Sequence, residues 1–254
     1  GKAIPAGTVE YYGATQTVGP GTYNDITFTG TGGYSVNSDV VVNSELSITK
    51  GELTVQDGVS VTVTDVITVN TPGTFILENN ASLVQINDVA NVGSITYKRT
   101  TKPIRKFDYT YWSSPVDGFA LGGISPNTLG DKFYSFDALV DDWKQESSST
   151  FMDKGIGYII RGPQDYDPMT TSVFPASFTG IPHNGTFSIT GIVADKLYLL
   201  GNPYPSALSA DAFLNANNLV LEGTIYLWTH NTAITNNTYT SNDYAIYNLS
   251  GGLG

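Results

Sequence analysis

The sequence predicts an all-β protein in two parts, an N-terminal parallel β-helix (solenoid) over residues 1–94 and a β-sandwich or jelly-roll-like domain over 95–254. Three observations carry that expectation. Glycines at Gly30, Gly51, Gly73 and Gly93 recur at spacings of 21, 22 and 20 residues. Short alternating apolar runs fill the intervals between them. Beyond residue 94 the period stops, and longer aromatic-rich strands with varied turns take over.

In the first part the predicted strands are Val40–Val42, Leu46–Ile48, Leu53–Val55, Val59–Val63, Val66–Val69, Phe75–Leu77 and Leu83–Ile86. Each is short, and Asn43, Asp57-Gly58 and Pro72-Gly73 supply the corners between them. A period near 20 residues with about three strands per repeat marks a β-solenoid. One coil cannot bury its inward Val, Ile and Leu alone. Stacking the next coil extends both the apolar column and the hydrogen-bond ladder. An antiparallel meander is the rival arrangement, but the glycine register persisting through four positions favours the solenoid.

Near Ser94 the texture changes. Basic residues cluster at Lys98-Arg99 and Lys102–Lys106, and aromatics crowd Phe107–Trp112. Strands are expected at 132–136, 157–161, 185–189, 196–200, 223–228 and 244–247, separated by polar loops, as in a sandwich. One short helix is expected over Ala210–Asn215, with Ser209 as N-cap and Asp211 near its positive end. The tail after Leu249 ends just past a strand, so the sandwich is expected to be part of a longer chain.

Composition bounds the partners. Charged residues make up 14% of the 254 positions, well under the roughly 25% of typical soluble domains. Thr, Ser, Asn, Gly and Tyr take their place, which suits solvated strand faces and turns rather than helices. Twenty-three acidic residues against twelve basic ones give a net charge of −11. That field repels polyanions, so no nucleic-acid partner is expected. No run approaches the roughly 20 apolar residues needed to span a bilayer, so no membrane insertion is expected. The chain has no cysteine, which excludes disulfides, thiolate zinc and Fe–S ligation. Gly1–Gly7 lack the features of a signal peptide, so an export signal is expected to have been removed or to lie elsewhere.

Several phrases carry a family resemblance. Tyr97–Pro103, Asp108–Pro115, Gly155–Arg161, Leu200–Ala207 and Tyr226–Asn231 resemble a block in large secreted proteins of Flavobacterium-like bacteria (Bacteroidota). These are exported by the type IX secretion system and end in a C-terminal sorting domain. The resemblance spans about residues 94–254. It implies an adhesin-like protein at the cell surface or released from it, with the secretion machinery as a partner during export. It assigns no catalytic residue.

Candidate sites are few. The two histidines, His183 and His230, fall in a turn and just after a strand. A triad using Ser113 or Ser114 lacks the Gly-x-Ser-x-Gly elbow. Ser47-x-x-Lys50 matches a lactamase string without its companion motifs. Asp137, Asp141 and Asp142 offer paired carboxylates for polysaccharide cleavage, or a polar loop. The same three, or Asp165 and Asp167, are the candidate oxygen ligands for a structural calcium. Sixteen tyrosines and three tryptophans offer flat faces on which sugars stack. Trp143, read as a loop aromatic flanked by Asp141 and Asp142, is the leading ligand-binding candidate. Trp112 and Trp228, inside alternating patterns, read as core.

The sequence therefore points to a non-enzymatic extracellular protein in which the solenoid is a stiff spacer. An extracellular polysaccharide or surface is its expected partner. A polysaccharide-binding or polysaccharide-degrading module and a purely structural spacer or export passenger are the alternatives.

Overall fold

The computed structural model describes residues 7–229 and 243–253. Its first part is a three-sided parallel β-helix. The first coil contributes β1 (Thr8–Tyr11), β2 (Thr15–Val18) and β3 (Gly21–Tyr23). The second adds β4 (Asp25–Phe28), β5 (Gly33–Val36) and β6 (Val40–Val42). The third adds β7 (Leu46–Ile48), β8 (Glu52–Val55) and β9 (Ser60–Val63), and the fourth β10 (Ile67–Val69), β11 (Thr74–Leu77) and β12 (Ser82–Gln85). Equivalent strands stack in register, giving sheets β1-β4-β7-β10, β2-β5-β8-β11 and β3-β6-β9-β12.

Register explains the sequence pattern. Tyr34 pairs with Leu53, and Leu53 with Phe75. Phe28 and Val69 both pair with Ile48. All of these are buried and form columns down the coil axis. Outward positions in between carry Thr27, Ser47 and Thr68 on one side and Ser35 and Thr54 on another. The glycines sit at corners where coils touch. Gly93 has φ +77°, and a Cβ there would overlap the Val69 carbonyl of the preceding coil.

The first coil, at 8–23, precedes the regular glycine spacing. Tyrosines mark it instead. Tyr11 stacks on Phe28 at 5.2 Å, and Phe28 meets Tyr34 at 4.8 Å. The Tyr34 and Tyr23 hydroxyls donate to the carbonyls of Gly13 (3.1 Å) and Gly19 (2.7 Å). Ring bodies thus fill the core while polar tips satisfy the bends.

At the other end the solenoid meets antiparallel structure. Strand β13 (Ile95–Thr100) continues the second sheet parallel to β11, then pairs antiparallel with β18 (Pro175–Gly180). The third sheet stops at β12, where the Leu83 N–H that a fifth coil would engage donates to Pro205 O at 2.7 Å. Residues 200–207 thereby cap the solenoid. Asn202 holds this loop by donating to Ser206 O and accepting the Tyr204 N–H, and the Tyr204 hydroxyl donates to Gly185 O.

The second part is β-sandwich-like. An antiparallel sheet has the order β14-β17-β15-β16, from β14 (Tyr109–Trp112), β15 (Phe133–Asp137), β16 (Asp142–Glu146) and β17 (Tyr158–Arg161). A smaller sheet joins β19 (Thr224–Trp228), β20 (Tyr244–Asn248) and β21 (Gly251–Leu253). Helix α2 (Ala210–Ala216) has Ser209 as N-cap, its hydroxyl accepting the Ala212 N–H at 3.2 Å. A second helix, α1 (Leu121–Ile124), escapes sequence reading because Gly122 and Gly123 occupy its centre.

The runs expected as strands at 185–189 and 196–200 are not strands. Their apolar side chains pack onto residues 154–157 instead of building a ladder. Phe187 sits against Gly155 and Leu199 against Gly157. Only the Ile156–Leu200 bridge ties the second run to a neighbour as β structure.

Candidate functional site

The β15–β16 hairpin builds the most conspicuous surface feature. Its tip runs through Asp137–Asp142. The Asp137 carboxylate accepts the Leu139 and Val140 N–H groups, and its carbonyl accepts the Asp141 N–H at 2.9 Å. Asp141 takes φ +59°, the left-handed region that Asp tolerates at turns. Asp142 Oδ1 accepts the Trp143 N–H at 2.7 Å. These carboxylates shape a tight turn first, whatever else they do.

Trp143 lies on edge strand β16, not in a loop. The run Asp142–Glu146 has almost no apolar alternation, because an edge strand with both faces near solvent needs none. Trp143 pairs across the ladder with Phe136. Its ring meets Phe136 edge-on at 5.2 Å and Tyr111 at 6.3 Å, and the residue remains 39% exposed. Tyr111 in turn stacks on Trp228 at 5.0 Å and 8°, and its hydroxyl shares a 2.6 Å hydrogen bond with that of Tyr244. Trp228 and Tyr244 also meet edge-on at 5.0 Å. Five rings from five strands thus form one connected cluster, with Trp143 at its exposed margin.

The other tryptophans are committed inward. Trp112 packs against Phe174 and Phe178, and its indole donates to Thr110 Oγ1. Trp228 is half-buried, its indole donating to Tyr109 O at 3.2 Å. Burial, with Tyr134 beside it, pushes the Tyr109 phenol up to about 12. At the hairpin, Lys144 pairs with Glu146 at 2.9 Å, which holds the ammonium protonated above its ordinary range. Asp141 and Asp142 are therefore brought beside Trp143, as the sequence expects. Tyr111, Phe136 and Tyr244 join it without having been singled out. The aromatic density of 107–112 is the signal that could have found the first of them.

The catalytic alternatives fare differently. His183 is buried, with Nε2 2.7 Å from Asp117 Oδ1 and Nδ1 3.0 Å from Pro203 O. The Ser113 hydroxyl donates to Asn202 O, and that of Ser114 to Val116 O. His183 thus clamps the capping loop and serves neither serine. His230 lies outside the described residues. Ser47 faces outward in β7 while Lys50 follows at a corner, so that pair spans strand and turn.

Among the described residues, no group of three His, Asp or Glu side chains gathers as a metal site. Asp167 resembles Asp137 in role. Its carboxylate accepts the N–H groups of Met169 and Thr170, which lowers its pKa. No helix among the described residues is long and apolar enough to cross a membrane.

Comparison with known proteins places the chain in a family. A profile described as a domain of unknown function (DUF8693) matches residues 15–254, and the chain belongs to that family. The match runs from the solenoid into the antiparallel region. No curated protein and no solved structure matches the chain.

Proposed function

We propose that this member of the family is a non-enzymatic, adhesin-like extracellular module that binds polysaccharide at the β15–β16 edge. The observation that carries this reading is the exposed indole of Trp143, mounted on Phe136 and Tyr111 beside the Asp141–Asp142 turn. A fixed aromatic face next to hydrogen-bonding groups is the arrangement that sugars need. The ring covers apolar C–H surface, and carboxylates accept from hydroxyls.

The solenoid supports the reading as a stiff spacer that carries this edge away from an anchoring point. Export by the type IX secretion system, with its machinery as transient partner and the cell surface as destination, accords with the phrases 97–103, 108–115 and 200–207. Some of those phrases have a structural use of their own. Residues 200–207 cap the solenoid, and Trp112 joins the core at its end.

The test is binding of the purified chain and of Trp143→Ala to a panel of bacterial, algal and plant polysaccharides. Saturable binding that the variant loses is the expected result. No binding across the panel would leave a spacer or export role as the better account.

A further inference from the structure

A hollow on the antiparallel part, made by neither Trp143 nor its cluster, has the make-up of a single-sugar subsite. Its volume is about 230 Å³. That is below the roughly 300 Å³ lower end of drug-sized pockets, so it suits one ring rather than a chain. Pro126, Pro163 and Pro175 wall it, Tyr166 and Phe174 contribute aromatic surface, and Asn127 and Asp165 bring polar groups.

The hollow is preformed. Gln164 N–H donates to Asn127 O at 2.9 Å, joining the two loops that flank it. Tyr166 N–H donates to Pro163 O, and its hydroxyl donates to Val173 O at 2.8 Å, so the ring is tied at both ends. Tyr166 meets Phe174 edge-on at 6.1 Å. Prolines and tied rings lose little freedom when a ligand arrives, which favours binding by a small group.

The polar pair selects the ligand. The Asn127 amide donates to Asp165 Oδ2 across a long 3.3 Å, and both residues are exposed. A carboxylate only accepts, while an amide donates and accepts. A sugar hydroxyl placed between them can give its proton to Asp165 and accept from Asn127. A cationic side chain could donate to Asp165 and to the Asn127 amide oxygen but could accept nothing from the Asn127 amide nitrogen. A uronate or sulfated sugar would meet Asp165 and the chain's net charge of −11 as like charges.

We propose that this hollow holds one neutral hexopyranose residue of a glycan, its ring against Tyr166 and a hydroxyl shared by Asp165 and Asn127. It shares its ligand class with the function proposed above but does not depend on Trp143.

The test is a saturation-transfer NMR titration of the full chain with the methyl glycosides of glucose, galactose and mannose. Methyl glucuronide and Nα-acetyl-lysine amide serve as comparators. The expected result is saturable binding of at least one neutral glycoside. Asp165→Ala and Asn127→Ala should each weaken it about fivefold, the equivalent of one hydrogen bond, and should do so equally in a chain that also carries Trp143→Ala. Both polar residues are exposed, so circular dichroism should show an intact fold, and Asp165→Asn gives a second, isosteric variant. Absence of saturation by any neutral glycoside overturns the proposal. So does binding indifferent to both polar variants, or tighter binding of the lysine amide. Binding lost only in Trp143→Ala overturns this subsite and leaves the β15–β16 reading standing. Failure of the polysaccharide panel with glycoside binding intact at Asp165 does the reverse.

Discussion

Leu53 sits in the middle of the solenoid, stacked between Tyr34 of the coil before and Phe75 of the coil after, and it is 1% exposed. Leu53→Ala removes three carbons from that column. At about 0.8 kcal/mol per buried methylene the transfer loss is about 2.4 kcal/mol. Both neighbours are rings fixed by the ladder, so the gap closes poorly and a cavity term adds to the loss, giving about 3–4 kcal/mol within the usual Leu→Ala range. The control is the next residue. Thr54 points outward from the same strand, and Thr54→Ala should cost about 1 kcal/mol or less. Urea unfolding followed by far-UV circular dichroism measures both. Hydrogen exchange should show lost protection in β5 and β11 together with β8, because each coil is held by its neighbours. A Leu53→Ala cost below about 1 kcal/mol, or equal costs for the two variants, would refute the stacked-column packing.

Two further outcomes follow from the polar contacts. Asp25 is held below the ordinary carboxylate range, chiefly by the Glu45 N–H and then by Ser44 and Asn24. The folded state therefore binds that proton less readily than the unfolded one. Its contribution is present above about pH 4 and is lost as pH falls through the lowered value. Tyr109, pushed up to about 12, works at the opposite limit, its contribution present below about pH 10 and lost as pH rises toward 12. Urea midpoints should form a plateau between those limits, and Asp25→Asn should flatten part of the acid slope; a midpoint indifferent to acid would contradict this. His183→Ala should cost about 1–3 kcal/mol by leaving the buried Pro203 carbonyl without its partner. Thermal unfolding reads that loss, and amide exchange at Leu83 should rise as the cap loosens. An unchanged transition would mean that the clamp carries no stability.

Much of the fold was legible because solenoid physics is written locally. Val40, Leu46, Leu53, Val61 and Phe75 each sit on an inward position whose period of two survives in the sequence. The first coil is harder to see, since Tyr23 and Tyr11, the latter packing with Phe28 and Tyr34 of the second coil, replace the glycine signal. The strands expected at 185–189 and 196–200 failed for a different reason. Alternation of Phe187 with Ile189, or of Leu197 with Leu199, reports extended backbone with one apolar side, and it is silent on whether a neighbouring strand exists to complete a ladder. The site was half legible. Trp143 and its two aspartates are neighbours in sequence, so one hairpin turn unites them. Tyr111, Trp228 and Tyr244 come from distant strands, and only tertiary packing makes them a cluster. Asn127 and Asp165, 38 residues apart, are likewise joined only by the fold.

The three indole N–H groups offer the most direct test of the glycan-binding account. Those of Trp112 and Trp228 are engaged by Thr110 and Tyr109 inside the protein, whereas Trp143 stands at the surface. A ¹⁵N-labelled chain titrated with a polysaccharide-derived oligomer should show three indole signals. The account predicts a saturable shift confined to the Trp143 signal, with Trp112 unmoved. Binding that leaves the Trp143 indole in place, or that shifts Trp112 instead, would contradict it.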